Sequence, residues 1–302
     1  MKKLKTVTIV ISAYNEEKTV LKLLNSINVQ NRGNFLLEKV LILCDGCTDK
    51  TAEICREFSR RNKGYSIQEF RERKGKAMRL MKIFEKLTTD IVIIFDADVV
   101  LGNNFVIEEL VNGFSKDNIG IVGGFNMPMA PRNYFESLII TWLKIWNGIR
   151  FEFNSGNTVH NSLGCVLAIN KNVASKVKFP STIIPDDDFI YFTAITNGYK
   201  FKFSKKSIVH YRTIDNFSDF LKQHSRLYHS KEQIFDFFGD WTKCSYDIPT
   251  QIKTKYALSS LASSPIKTVL AIALQSLVRI DFGFKGEIYT EGFWSIAKSS
   301  KL

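Results

Sequence analysis

The chain has 302 residues, 45% of them apolar and 24% charged, with 17 Gly and 6 Pro, a composition that excludes disordered, collagen-like and low-complexity classes. A length near 300 admits one large domain, or one domain with a C-terminal appendage, and supplies enough sequence to bury a core without covalent staples. The 42 Lys and Arg against 30 Asp and Glu leave a net charge of +12, and residues 56–86 alone hold eleven basic and four acidic side chains; this suits an anionic partner such as nucleic acid, a phosphorylated small molecule or an acidic lipid surface, and equally a solvated helix face.

The first residues imitate a secretion signal, but the apolar stretch 6–13 has only the minimum length and runs directly into Asn15-Glu16-Glu17, so a buried first strand over 7–12 accounts for it better. After the break at Ala13-Tyr14-Asn15, Val20, Leu21, Leu23, Leu24 and Ile27 recur at helical spacing. The pattern then repeats, with a strand over 39–43, a turn-rich loop over 45–49 and a helix over 51–60. A strand over 66–70, a helix over 77–87 and an uninterrupted apolar strand over 91–95 complete the first half. Such alternation predicts an α/β unit with a largely parallel sheet covered on both sides.

Five cysteines, an odd number, do not make a disulfide framework, so reduced thiols and a cytoplasmic location are expected. Cys44 and Cys47 form a C-x-x-C, but Asp45, Gly46, Thr48 and Asp49 crowd it, which speaks against a redox pair.

The second half is less regular. Helices are expected over 134–151, 189–195 and 216–238, with short strands over 165–169 and 201–203; residues 123–180 carry no readable signature. From about Gly239 the composition shifts toward Pro and Ser, and in 266–280 the residues Ile266, Val269, Leu270, Ala273, Leu274, Leu277 and Ile280 share one helical face opposite Thr268, Gln275 and Arg279. That segment is too short to span a bilayer, which leaves a packing helix or an in-plane membrane contact.

In open parallel sheets ligands bind beyond the carboxyl ends of the strands, and the unusual polar clusters of the first half all fall there. Asp96-Ala97-Asp98 follows the strand over 91–95, and two carboxylates so spaced suit Mg²⁺ or Mn²⁺ and the phosphates it bridges. Lys76, in the basic loop Lys74-Gly75-Lys76, is placed to neutralise a diphosphate, unless the loop is simply solvated. Asp45 could accept the imide N–H of a pyrimidine with Tyr14 packed on its ring; turn capping is the competing account of both. Pro185-Asp186-Asp187-Asp188 opens a helix, where the dipole favours acids, yet crowded like charges also raise a carboxylate toward the range of a general base. Gln223 and Arg226 lie one turn apart on a helix face that points into a cleft or into solvent.

Taken together, Ser12-Ala13-Tyr14-Asn15-Glu16-Glu17, Asp45-Gly46-Cys47-Thr48-Asp49, Lys74-Gly75-Lys76, Asp96-Ala97-Asp98, Asp186-Asp187 and Gln223-x-x-Arg226 resemble the motifs of a family 2 inverting glycosyltransferase, in order and approximate spacing, over residues 5–230. The resemblance implies an α/β fold of the GT-A type, a mostly parallel central sheet flanked by helices. It implies a catalytic domain over 1–230, with 231–302 as a C-terminal helical extension and candidate membrane contact. It further implies Mn²⁺ or Mg²⁺ and a nucleotide-sugar donor, UDP-linked by preference. The acceptor would be a glycan hydroxyl or a lipid-linked molecule, met in the cytoplasm or at the inner face of the cell membrane. Position by position it assigns Ala13, Tyr14, Glu16 and Asp45 to the nucleoside, Lys76 to the diphosphate, and Asp96 with Ala97 to the ribose or a metal-bound water. Asp98 would hold the metal, with His210 as a further ligand or a structural histidine. Asp187, with Asp186 before it, matches the catalytic base from its interval to Gly198, and Gln223 and Arg226 match the acceptor and pyrophosphate motif.

Three departures stand out: Cys44 replaces a common first Asp, Asp186 replaces the usual Glu, and Leu227 stands where processive members carry Trp. With no membrane-spanning bundle following, they favour transfer of one or few sugars. Two other readings compete. A sugar nucleotidyltransferase would want a Gly-rich basic loop after the first strand. A basic nucleic-acid-binding protein would show a recognisable zinc finger, RNA-recognition strand or helix-turn-helix, and none is present; nucleic acid is therefore not an expected partner.

Overall fold

The computed structural model describes residues 4–115 and 118–279. β1 (Lys5–Ala13), α1 (Val20–Asn28), β2 (Phe35–Asp45), α2 (Thr51–Arg61), β3 (Tyr65–Phe70), α3 (Lys76–Glu85) and β4 (Ile91–Asp96) alternate as the periodicity predicts. There follow β5 (Val100–Leu101), α4 (Val106–Asn112), β6 (Ile119–Pro128), α5 (Tyr134–Glu152), β7 (Val166–Asn170), α6 (Lys171–Ala174), α7 (Asp186–Thr196) and β8 (Lys200–Tyr211). The described chain ends with α8 (Phe217–Phe238), α9 (Lys243–Tyr246), α10 (Thr250–Ser263) and α11 (Pro265–Arg279).

The strands form one sheet in the order β3-β2-β1-β4-β7-β6-β8-β5. The β3-β2-β1-β4 part is parallel throughout, whereas β7 runs antiparallel to both β4 and β6, and β5 antiparallel to β8. The sheet is thus parallel where the first half predicts it and mixed beyond. Period-2 alternation sends Val7, Ile9 and Ile11 of β1 to one core with α1 and α2, and Val10 to the other with α3 and α7. Burial on both faces explains why these strands read as continuous apolar runs.

The individual elements β5, α4, β6, α6, α9 and α10 escaped the sequence reading. In β6 the run Ile-Gly-Ile-Val-Gly-Gly reads as a poor strand former, but the glycines are demanded by packing. A Cβ on Gly123 would lie 2.3 Å from the Asn161 carbonyl oxygen. β8, expected as three residues, runs for 12: its polar centre Ser-Lys-Lys-Ser, where the apolar signal stops, interrupts the pairing with β6, which resumes at Ile208.

The amphipathic helix expected over 266–280 forms as α11, with Ile280 outside the described residues, but it faces the other way from a packing helix. Thr268, Ala271 and Gln275 are buried, while Ile266, Val269, Leu270 and Leu277 are exposed. The small side chains allow close approach to α10, where the Ser260 and Thr268 hydroxyls meet at 2.7 Å. The boundary expected near residue 230 falls inside α8, and Phe237 and Phe238 pack on Phe189 of α7 across it. Among the described residues no helix is long and apolar enough to cross a membrane.

Candidate functional site

The loops after β1 and β2 are tied together. Asn15, in left-handed conformation at φ 53°, accepts the Thr48 N–H at 2.8 Å and donates to its hydroxyl at 3.0 Å. A non-glycine residue held there by two specific bonds is the kind of strain that clusters at working sites. The Glu16 N–H donates to the Thr51 hydroxyl at 2.6 Å, and the Glu16 carboxylate accepts from Thr19 at 2.9 Å.

Beside this junction lies a cavity of about 80 Å³ lined by Ala13, Tyr14, Asp45, Arg73, Lys76 and Arg79 among others. The Asp45 carboxylate is nearly buried and accepts from the Gly75 N–H at 2.7 Å, the Lys74 N–H at 3.1 Å and Arg79 Nε at 2.6 Å. It therefore holds the 71–75 loop in place. The Arg73 guanidinium lies 4.1 Å from the centre of the Tyr14 ring, a cation–π contact on the face where a flat ring would also stack.

The carboxylates converge on Lys76. Its Nζ donates to Asp96 Oδ1 at 2.7 Å and to the Gly164 carbonyl at 2.9 Å, and pairs with Asp186 Oδ2 at 3.3 Å. The Gly164 N–H in turn donates to Asp187 Oδ2 at 2.9 Å. The two backbone polar groups of one residue, Gly164, thus join the ammonium to the acid expected as base. A Cβ on Gly164 would lie 2.8 Å from Lys76 Nζ, so a side chain there would displace the ammonium. Burial lowers the Lys76 pKa, but Asp186 and Asp96 more than offset it and the net shift is upward. Burial raises Asp186, with Lys76 opposing. Ala97 is buried and its N–H donates to the Ser12 carbonyl at 3.2 Å, which fixes the Asp96–Asp98 turn against β1.

Sequence reasoning missed four participants. Gly164 bonds Lys76 and Asp187 through its backbone, and next to it burial raises the Cys165 thiol, with the charges of Asp96, Asp98 and Asp187 raising it further. Tyr211, half-buried at the end of β8, feels Cys165 and Asp98. Tyr246 donates to Asp188 Oδ2 at 2.6 Å. A glycine before an apolar run was the available signal for Gly164; nothing local marks Tyr246, which lies 58 positions from its partner.

His210 and the second half of the expected set are placed differently. The His210 ring lies against Gly102, where a Cβ would come within 2.9 Å of its Nε2. Among the described residues no three His, Cys, Asp or Glu side chains group as a metal site. The donors that are present suit a hard cation completed by substrate: Mg²⁺ and Mn²⁺ accept one or two carboxylates plus phosphate oxygens, and Asp98 is half exposed at the crevice. Gln223 is exposed and Arg226 half-buried on α8.

A family model described as Glycosyl transferase family 2 matches residues 8–177. The chain is 24% identical over 201 residues to the 4,4'-diaponeurosporenoate glycosyltransferase of Staphylococcus haemolyticus, a match covering 65% of this chain and 47% of that protein; the chain thus spans about half that relative's length. Among solved structures, a mannosyltransferase of Pyrobaculum calidifontis in complex with GDP-Man and Mn²⁺ superposes at TM-score 0.60 with 17% identity, covering 92% of this chain and 76% of that one. The glucosyl-3-phosphoglycerate synthase of Mycobacterium tuberculosis, in complex with Mn²⁺, UDP and glucosyl-3-phosphoglycerate, superposes at 0.54 with 18% identity over 77% and 79%. TarS residues 1–349 of S. aureus superpose at 0.53 with 14% identity over 76% and 65%.

Proposed function

The chain belongs to glycosyl transferase family 2, and from that premise we propose that it moves a sugar, with inversion at the anomeric carbon, from a UDP-linked donor to a glycan hydroxyl or a lipid-linked acceptor. The observation that carries this reading is the linkage Asp96–Lys76–Gly164–Asp187. In this reading Lys76 is the cation for the leaving group and Asp187 the base for the attacking group, held by the C=O and the N–H of the same residue, Gly164.

In this reading the nucleoside enters the cavity of Ala13, Tyr14 and Asp45, whose shape Glu16 maintains from behind. Asp98, with His210 as a further candidate, would hold Mn²⁺ or Mg²⁺, which supplies charge neutralisation on the diphosphate. Lys76 adds a second positive charge as the bond from the anomeric carbon to the diphosphate oxygen breaks. Asp96, Ala97 and Asp186 line the donor side, and Gln223 and Arg226 serve the acceptor and pyrophosphate. The acceptor oxygen forms its bond to the anomeric carbon on the face opposite the leaving group, and its proton passes to Asp187, oriented by the Gly164 N–H. The location that fits a lipid-linked acceptor is the cytoplasmic face of the membrane.

Asp187→Asn tests the assignment. Transfer is expected to fall by about 10²- to 10⁴-fold while donor affinity, read by isothermal titration, stays within about twofold; lost binding with intact chemistry contradicts the role. A panel of nucleotide sugars scored for hydrolysis identifies the donor.

A further inference from the structure

The exposed apolar stripe of α11 is long and continuous. Ile266 is 73% exposed, Val269 56%, Leu270 41% and Leu277 42%, and exposed Ala273 bridges them, so the set recurs at helical spacing along one face. From Ile266 to Leu277 this face runs for about 17 Å. Its opposite side is fixed to the protein, with Leu274 packed beside Ile139 and Phe220. Tyr134, the first residue of α5, is also exposed, and the Lys267 ammonium lies 6.0 Å from its ring.

Within α10 and α11 the charge is of one sign. From Thr250 to Arg279 the sequence holds Lys253, Lys255, Lys267 and Arg279 and no acidic residue. Lys255 is engaged by Glu152 at 2.6 Å, while Lys253 and Lys267 are exposed. An apolar face bordered by Lys267 and an exposed tyrosine, on helices that carry no acid, is complementary to the headgroup boundary of an anionic bilayer. A second copy of this chain fits less well, because a two-fold contact would set the cationic border against itself.

We propose that the open face of α11 seats in the interfacial layer of an anionic lipid bilayer, with Lys267 at the headgroups. The inference deepens the membrane part of the proposed function and uses none of its chemistry, so vesicle binding and nucleotide binding fail separately. The test is co-sedimentation of the full chain with phosphatidylcholine vesicles with or without about 30% phosphatidylglycerol. Partitioning is expected to be at least about tenfold stronger with phosphatidylglycerol and to weaken in about 0.5 M NaCl. The double variant Val269→Glu, Leu270→Glu is expected to lose at least about tenfold of it with its unfolding midpoint and UDP affinity unchanged. Hydrogen exchange of the α11 amides in the parent chain, slowed only by the anionic vesicles, gives the same answer if the variant fails to fold. The proposal is overturned if the parent stays in solution with anionic vesicles, as it would with residues 280–302 covering the face. It is equally overturned if the variant sediments like the parent, or if the variant merely converts a dimer to a monomer with vesicle binding unchanged.

Discussion

Lys76 touches three segments remote in sequence: a strand tip through Asp96, a loop through Gly164 and a helix start through Asp186. Lys76 and the acids stood out in the sequence because charged clusters in loops, at the tip of an apolar strand for Asp96 and at a helix start for Asp186, are local signals. Their mutual contacts did not, since the Gly164 carbonyl reaches Lys76 across 88 positions. Asp188 shows the same division. As one of three acids at a helix start it looks like dipole complementation, but burial, then Asp187, push its pKa up to about 8, against the pull of the Tyr246 hydroxyl and Lys231. The unfolded chain releases this proton near its ordinary value of 3.8 and the folded chain near 8. Between those values the folded state binds more protons, so stability falls as pH rises. The thermal midpoint is expected to decline across that window, and Asp188→Asn to flatten the decline; a parallel profile in the variant would refute the assignment.

α5 illustrates how an element is placed by its ends. Its N-cap Asn133 accepts the Glu136 N–H at 2.8 Å, a signal readable from sequence. The fully buried Glu136 carboxylate then accepts the Arg132 N–H and pairs with Arg212 at 3.6 Å, drawing the end of β8 onto α5. Removing one partner of a buried pair strands the other charge. Glu136→Ala is therefore expected to lower the urea unfolding free energy by about 3 kcal/mol, and a loss below about 1 kcal/mol would mean the arginines find water instead. Strands whose apolar runs are unbroken, such as β4, were legible for the reason that they are covered on both sides. β6 was not, because its glycines serve a neighbouring backbone and not its own propensity.

At the scale of the whole molecule, two cores sandwich one sheet and leave the polar loops of β1, β2 and β4 on a common edge with the N-terminus of α7. A ligand that binds only this assembled edge stabilises the fold by mass action, by about 2.7 kcal/mol at one hundred times its Kd. UDP with Mn²⁺ is expected to raise the thermal midpoint more than UDP alone, and Asp98→Ala to abolish the difference; a parent chain indifferent to the metal would refute the Asp98 role.

The order of residues alone determined the strand–helix alternation, the polar loops at the strand tips and the family they resemble, since periodicity and turn chemistry act over a few neighbouring positions. Only the tertiary structure decided that Asp45 is held by the 71–75 loop, that Tyr246 reaches Asp188, and that α11 turns its small polar side inward. Those outcomes depend on which surfaces compete for a limited interior, and that competition exists only once the layers have come together.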